Sequence, residues 1–143
     1  MAREKTPFVA AADCIDGRTS DPLKRLAQRE TGAKRVYVDA TTAPGMVGRL
    51  SRNDRRVIAA VEEAIGISID RHGSDRVYVV GHAHCAGNRV EDREHMQHVL
   101  DAADVVRRLV PRTKGGNPRT VVVPTFVAPD TSGRWRARPL RRS

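Results

Sequence analysis

The fold is decided by residues 76–85, which read RVYVVGHAHC. Residues 76–81 form an almost continuous apolar run, typical of a strand that is buried on both faces of a parallel sheet. His82 and Cys85 follow this strand directly. Ligands of open α/β sheets bind beyond the carboxyl ends of the strands. The segment therefore predicts both a parallel sheet and a chemical site at one edge of it.

Strands and helices are predicted to alternate on both sides of this segment. Short apolar runs bounded by turn residues predict further strands at Pro7–Asp13, Arg35–Asp39, Thr120–Val127 and about Arg134–Leu140. Apolar residues at helical spacing and capping signals predict helices from Asp21-Pro22 to about Glu30, from a cap at Ser51 or Asn53 to near His72-Gly73, and from about Glu91 to Leu109. The stretch TTAPGMVG reads as a turn, and PRTKGGNPR at 111–119 breaks the last helix.

This alternation predicts an α/β fold, a three-layer sandwich with a mainly parallel sheet of four strands plus an antiparallel C-terminal edge strand. A length of 143 residues suits one domain, so we expect residues 1–143 to form a single unit. Its C-terminal end, about residues 134–143, is a basic tail that reads RWRARPLRRS.

Composition narrows the classes of partner. The net charge is +9, which could attract an acidic partner. Aromatic residues make up only 3% of the chain, however, and the sequence contains no nucleic-acid-binding motif, so nucleic acid is an unlikely ligand. We expect the basic tail to be solvated, with docking to an unknown assembly as the alternative. No apolar run reaches the roughly 20 residues of a membrane span, and the N-terminus lacks a secretory signal, so a cytoplasmic location is expected.

Two cysteines and one histidine form the candidate metal site. Cys14 follows the first predicted strand, whereas His82 and Cys85 follow the third. Two thiolates and an imidazole suit Zn²⁺, and three protein ligands leave the open fourth position that is typical of a catalytic site. In a reducing compartment such cysteines are more often thiols or metal ligands, and a Cys14–Cys85 disulfide is the alternative.

The residues around this site carry a family resemblance. Cys14-Ile15-Asp16-Gly17-Arg18, followed by His82-Ala83-His84-Cys85, resembles the C-x-D-x-R … H-x-x-C pattern of the β-class carbonic anhydrases. The segments VAAADCIDGR, VEEAIGISIDRHGSDRVYVVGHAHCAG and TVVVPTFVAPDTSGRW are also similar to that family, so the resemblance covers about residues 7–140.

The resemblance implies a reaction and a role for each site residue. Cys14, His82 and Cys85 would hold Zn²⁺, and a zinc-bound hydroxide would hydrate carbon dioxide reversibly to bicarbonate. Asp16 and Arg18 would form a catalytic dyad, in which Asp16 orients the hydroxide and Arg18 holds Asp16. If this pair broke, Asp16 could become the fourth ligand and close the site. The family also implies a homodimer or a higher homo-oligomer.

The sequence is also compatible with two other functions. Residues 39–45 differ from the R-N-A-G-type stretch that is common in the family. The alternatives are therefore a related zinc hydrolase acting on carbonyl sulfide or carbon disulfide, and a non-catalytic zinc-containing interaction module. Of the remaining histidines, His84 is interpreted as a bystander, and His95 and His98 as surface residues of the last helix.

Overall fold

The computed structural model describes residues 6–113 and 119–142. Its five strands are β1 (Phe8–Asp13), β2 (Tyr37–Thr42), β3 (Arg76–His82), β4 (Val121–Pro129) and β5 (Trp135–Pro139). Its α-helices are α1 (Ser20–Thr31), α2 (Met46–Ser51), α3 (Arg55–His72) and α4 (Asp92–Leu109), and α4 continues into a 3-10 turn at Val110–Arg112. The predicted break at 111–119 lies partly outside the described residues.

The strands form one sheet in the order β2-β1-β3-β4-β5. The first four are mutually parallel, and β5 pairs antiparallel with β4 at the edge. Helices α2, α3 and α4 pack on one face of the sheet, whereas α1 covers the other. The predicted three-layer α/β fold with an antiparallel C-terminal edge strand is therefore confirmed.

Most predicted element ends agree with the structure to within a few residues, and two features differ. The helix α2 begins at Met46, inside the stretch predicted as a turn, and has only 6 residues, too few to show a helical period. The cap of α3 is Asp54, not Ser51 or Asn53, because the Asp54 carboxylate accepts hydrogen bonds from the amides of Arg56 and Val57. Gly73, in the left-handed conformation at φ 71°, ends α3 where expected.

The basic C-terminal segment is part of the fold over its described length. Residues 135–139 form β5, which starts where Trp135 pairs with Pro129 of β4. Beyond it, the Arg142 guanidinium donates to the Asp104 carboxylate on α4. None of the helices in the described ranges combines the length and apolar character that a transmembrane span requires.

Candidate metal centre

The sheet brings the three proposed ligands to one point. Cys14 directly follows β1, His82 is the last residue of β3, and Cys85 lies in the next loop. Because β1 and β3 are parallel neighbours, their carboxyl ends meet at the same edge. The ligand atoms of the three side chains lie within 4.8 Å of one another, and all three residues are buried. Among the histidine, cysteine, aspartate and glutamate side chains of the described residues, these three form the group that could hold a metal ion.

The spacing of the sulfur atoms suits a shared metal ion. Both cysteines are free, and their Sγ atoms are 3.9 Å apart, so the alternative of a Cys14–Cys85 disulfide is not what the structure contains. Two thiolates bound tetrahedrally at about 2.3 Å from one Zn²⁺ would lie about 3.8 Å apart. The two distances agree closely.

The imidazole of His82 supplies an independent test of fit. Its Nδ1 atom lies 2.8 Å from the carbonyl oxygen of Ala83, which can only accept, so Nδ1 carries the proton and Nε2 presents its lone pair. Nε2 is buried and has no hydrogen-bond partner in the described part of the chain. A buried nitrogen without a partner is costly, and a metal ion at this position would satisfy it. The residues present therefore fit a zinc ion.

Asp16 and Arg18 form a bidentate ion pair beside this cluster. Arg18 Nε donates to Asp16 Oδ1 at 3.0 Å and Nη2 donates to Oδ2 at 2.7 Å. Nη2 also donates to the carbonyl oxygen of His84 at 3.1 Å, which connects the pair to the loop between His82 and Cys85. These hydrogen bonds from Arg18 lower the pKa of Asp16 to about 2. Asp16 Oδ2 lies 3.9 Å from His82 Nδ1, so an ionised carboxylate faces the cluster.

The environment of the two thiols favours one thiolate over the other. Burial alone would raise the pKa of Cys14, but the neighbouring His82 side chain and the backbone amides of Asp16 and Gly45 outweigh it and lower the pKa to about 7. Burial raises the pKa of Cys85, and the negative charge of Cys14 raises it further. A divalent cation between the sulfurs would remove this repulsion.

Local backbone geometry shapes the loop that carries Cys85. His84 adopts a left-handed conformation with φ 58°, uncommon for a residue other than glycine, and its side chain is exposed. A few residues later, Gly87 packs against Gly45 so closely that a Cβ atom on Gly45 would lie 2.3 Å from the Gly87 carbonyl oxygen. Gly45 itself has φ 60°. Glycine is therefore required where the loop after β3 meets the start of α2.

Sequence reasoning missed Asp13, whose buried carboxylate stabilises the loop that begins at Cys14. Its side chain is buried, Oδ1 accepts a hydrogen bond from the Cys14 amide at 2.7 Å, and Oδ2 accepts one from the Thr19 hydroxyl at 2.7 Å. Burial raises the pKa of this carboxyl to about 6. The sequence feature that could have identified Asp13 is an acidic residue at the end of an otherwise apolar strand.

The prediction that His95 lies on the surface was wrong. His95 is only 2% exposed, and its ring packs 6.0 Å from the His82 ring and 5.6 Å from Phe126, centroid to centroid. A Cβ atom on Gly81 would lie 3.0 Å from the His95 ring, so the glycine lets α4 approach β3. Burial lowers the pKa of His95 to about 4, and electrostatic interaction with the neighbouring His82 and His98 side chains lowers it further. His98, by contrast, is partly exposed and lies 3.0 Å from the Asn88 side chain.

The fold and this cluster define an α/β protein with a candidate cysteine–histidine metal centre at the edge of its sheet. Comparison with known families agrees, since the family described as "Putative carbonic anhydrase" matches residues 4–115. The chain belongs to this carbonic anhydrase family, which confirms the resemblance inferred from its motifs. No curated protein matches the chain.

Two solved structures are similar to the chain at low identity. The β-carbonic anhydrase isoform I of the protozoan Trichomonas vaginalis is 16% identical, with a TM-score of 0.45, and the match covers 96% of this chain and 86% of that one. The β-carbonic anhydrase of the fungal pathogen Aspergillus fumigatus is 15% identical, with a TM-score of 0.43, and the match covers 95% and 76%.

Proposed function

We propose that this chain binds one Zn²⁺ through Cys14, His82 and Cys85 and catalyses the reversible hydration of carbon dioxide to bicarbonate. The observation that carries the proposal is the buried Nε2 of His82, which has no hydrogen-bond partner among the described residues and lies with two free thiols in a single cluster. When bound, zinc would supply Lewis acidity and lower the pKa of a coordinated water. Membership of the family supports this reaction class.

Asp16 is proposed as the residue that orients the attacking oxygen. Because its pKa is about 2, it is ionised at neutral pH and can only accept a hydrogen bond. A water or hydroxide that donates to Asp16 has its lone pair turned away from the carboxylate and towards carbon dioxide. Arg18 acts on Asp16 and holds it through two hydrogen bonds, which keeps the carboxylate beside the cluster rather than in it.

The closed form implied by the resemblance, with Asp16 as a metal ligand, would require this bidentate pair to break. In the structure the pair is intact, and the His84 carbonyl adds a third acceptor for Arg18. The arrangement therefore supports an accessible site in which Asp16 stays free to accept a hydrogen bond.

We further propose that the chain forms a homodimer or a larger homo-oligomer. Ile15, between a proposed ligand and Asp16, is 62% exposed, and Tyr37 on the edge strand β2 is 52% exposed. Ile15 lies beside the site, whereas Tyr37 lies at the start of β2, at the other end of the sheet. Exposed apolar side chains of this kind support contact with another subunit. Sedimentation of the zinc-loaded protein at micromolar concentration tests this, and a monomer would contradict it.

The reaction is tested by stopped-flow hydration of carbon dioxide between pH 7 and 9, using protein shown to hold about one zinc per chain. We expect activity that rises with pH and that falls by roughly 100-fold or more in Asp16→Asn. Asp130→Asn is the matched control, because Asp130 also pairs with an arginine, Arg136, but in the turn before β5. Full zinc occupancy without activity in the unchanged protein would contradict carbon dioxide hydration while leaving the metal site in place.

A further inference from the structure

A basic pocket lies beside the candidate metal centre, between the start of α1 and β5. It has a volume of about 220 Å³ and is lined by three arginines, Arg18, Arg25 and Arg134, together with Asp21 and Trp135. Three arginines and one acidic residue therefore line this small cavity. Such an excess of positive charge in a concave surface attracts anions.

The guanidinium groups retain hydrogen-bond donors for a ligand. Arg18 uses Nε and Nη2 for Asp16 and His84, and its Nη1 donates to no acceptor among the described residues. Arg25 makes one long side-chain bond, from Nη2 to the Trp135 carbonyl oxygen at 3.4 Å. In residues 6–113 and 119–142, Arg134 bonds through its backbone amide to Asp130, while its guanidinium has no acceptor. Arginine is always protonated in proteins, so these donors stay charged at every accessible pH.

Trp135 holds two of these arginines in place. The guanidinium carbon of Arg18 lies 4.6 Å from the centre of the Trp135 ring, within range of a cation–π contact. The carbonyl oxygen of Trp135 is the acceptor for Arg25. Because β5 fixes Trp135 against β4, the positions of both guanidinium groups are constrained before a ligand arrives, which lowers the entropy cost of binding.

We propose that this pocket binds a small oxyanion, of the carbonate, carboxylate or phosphate class, through Arg18, Arg25 and Arg134. Planar guanidinium groups match the paired oxygens of these anions in geometry as well as in charge. The site is separate from the cysteine–histidine cluster, and its existence does not depend on the proposed reaction. Arg18 is common to the pocket and to the ion pair with Asp16, so the two sites are neighbours.

The test is calorimetric titration of the zinc-loaded protein with inorganic phosphate and, separately, with bicarbonate, at constant ionic strength. The variant carries Arg25→Gln and Arg134→Gln, which leaves the Asp16–Arg18 pair intact. We expect it to bind the preferred anion roughly tenfold or more weakly. The control carries Arg29→Gln and Arg108→Gln, which remove the same charge from exposed positions outside the pocket, and its affinity should stay within about twofold of the unchanged protein.

Each outcome decides for or against the pocket. Selective loss of affinity in the pocket variant supports it, and a preference for phosphate or bicarbonate then identifies the source of the anion. Equal affinity in all three proteins would place the anion at the metal or elsewhere and overturn the proposal. An equal loss of anion affinity in the pocket variant and the control variant would mean that only net charge matters, and would overturn the proposal. The absence of binding of either anion at millimolar concentration would overturn it as well. Thermal unfolding of the zinc-loaded variants checks that they remain folded. If the double variant is unfolded, the titration is repeated with Arg134→Gln alone, which changes an exposed position.

Discussion

The backbone of Gly45 lies directly against the carbonyl group of Gly87, and this contact joins the loop before α2 to the loop that carries Cys85. A side chain on Gly45 would meet backbone atoms, which cannot rotate away, and it would also have to adopt a left-handed conformation with φ 60°. We therefore expect Gly45→Ala to lower the free energy of unfolding by more than about 2 kcal/mol.

Gly73→Ala is the matched control for this crowding. Gly73 has φ 71°, but a Cβ atom there would have no neighbour within 4 Å. Alanine at this position should cost about 1 kcal/mol, from the backbone conformation alone. Urea unfolding of both variants separates the two costs, and equal losses would argue against a close contact between Gly45 and Gly87.

The proposed metal ligands predict a sharp difference between two neighbouring histidines. His82→Ala should weaken zinc binding by roughly 100-fold or more, because it removes the buried Nε2 atom. His84→Ala should change zinc affinity by less than about threefold, because the exposed His84 side chain lies outside the cluster. Competition with a chromophoric chelator measures both affinities. Similar losses in the two variants would mean that the wrong histidine has been assigned.

Arginine at position 18 should be difficult to replace, even by another cation. Lysine keeps the charge but cannot make the two parallel hydrogen bonds that Arg18 makes to Asp16. If Asp16 and Arg18 act as proposed, Arg18→Lys should lower kcat/KM for carbon dioxide by about 10- to 100-fold. Stability should change little, because the Arg18 side chain is 44% exposed and solvent screens the pair.

The control for this substitution is Arg107→Lys, which alters an exposed pair with Asp104 on α4. Its kcat/KM should match that of the unchanged protein. Retained activity in Arg18→Lys would indicate that charge alone, and not bidentate geometry, is what Asp16 requires.

Burial of His95 predicts a dependence of stability on pH. The pKa of His95 is about 4 in the folded chain and about 6.5 in an unfolded one, so between these values the unfolded state binds more protons. The free energy of unfolding should therefore fall as the pH is lowered through this window, by roughly 2 kcal/mol between pH 7 and pH 5 from this residue alone. The stability that comes from a neutral, buried His95 is fully present above the unfolded-state pKa of about 6.5. It is lost progressively as the pH falls towards the folded-state pKa of about 4.

His95→Phe isolates this contribution, because it keeps a ring at the position and removes the titrating group. Urea unfolding of both proteins in the presence of a chelator and a reductant excludes effects of metal release. The variant should lose less stability on acidification, while other groups, such as Asp13, titrate alike in both. Parallel curves for the two proteins would contradict the assignment of a neutral, buried imidazole to His95.

The sequence predicted the sheet well because each strand is a short apolar run that ends at turn residues. The run at 76–81 identified β3, and Gly32 and Gly73 marked the ends of α1 and α3. The helix α2 was missed because 6 residues do not complete two helical turns, and its position depends on packing against α4. The formation of α2 therefore depends on tertiary contacts, which no local sequence pattern encodes.

The candidate site shows a similar division. Residue type and spacing were sufficient to predict that Cys14, His82 and Cys85 lie close together, because the carboxyl ends of parallel strands meet at one edge of the sheet. The burial of His95 could have been inferred, since it shares a helical face with Val99, Ala102 and Val106, but the polarity of its ring favoured a surface position. The basic pocket could not be predicted, because it depends on an arginine of α1 and one preceding β5 meeting in space.

The distance along the chain between Cys14 and Cys85 has a consequence for the order in which the site is assembled. The two residues are 71 positions apart, whereas His82 and Cys85 belong to one short loop. An unfolded chain can offer the local pair to a metal ion, but the third ligand arrives only when β1 docks beside β3. High metal affinity would therefore appear late in folding, and capture of the ion would select chains whose central strands are already paired.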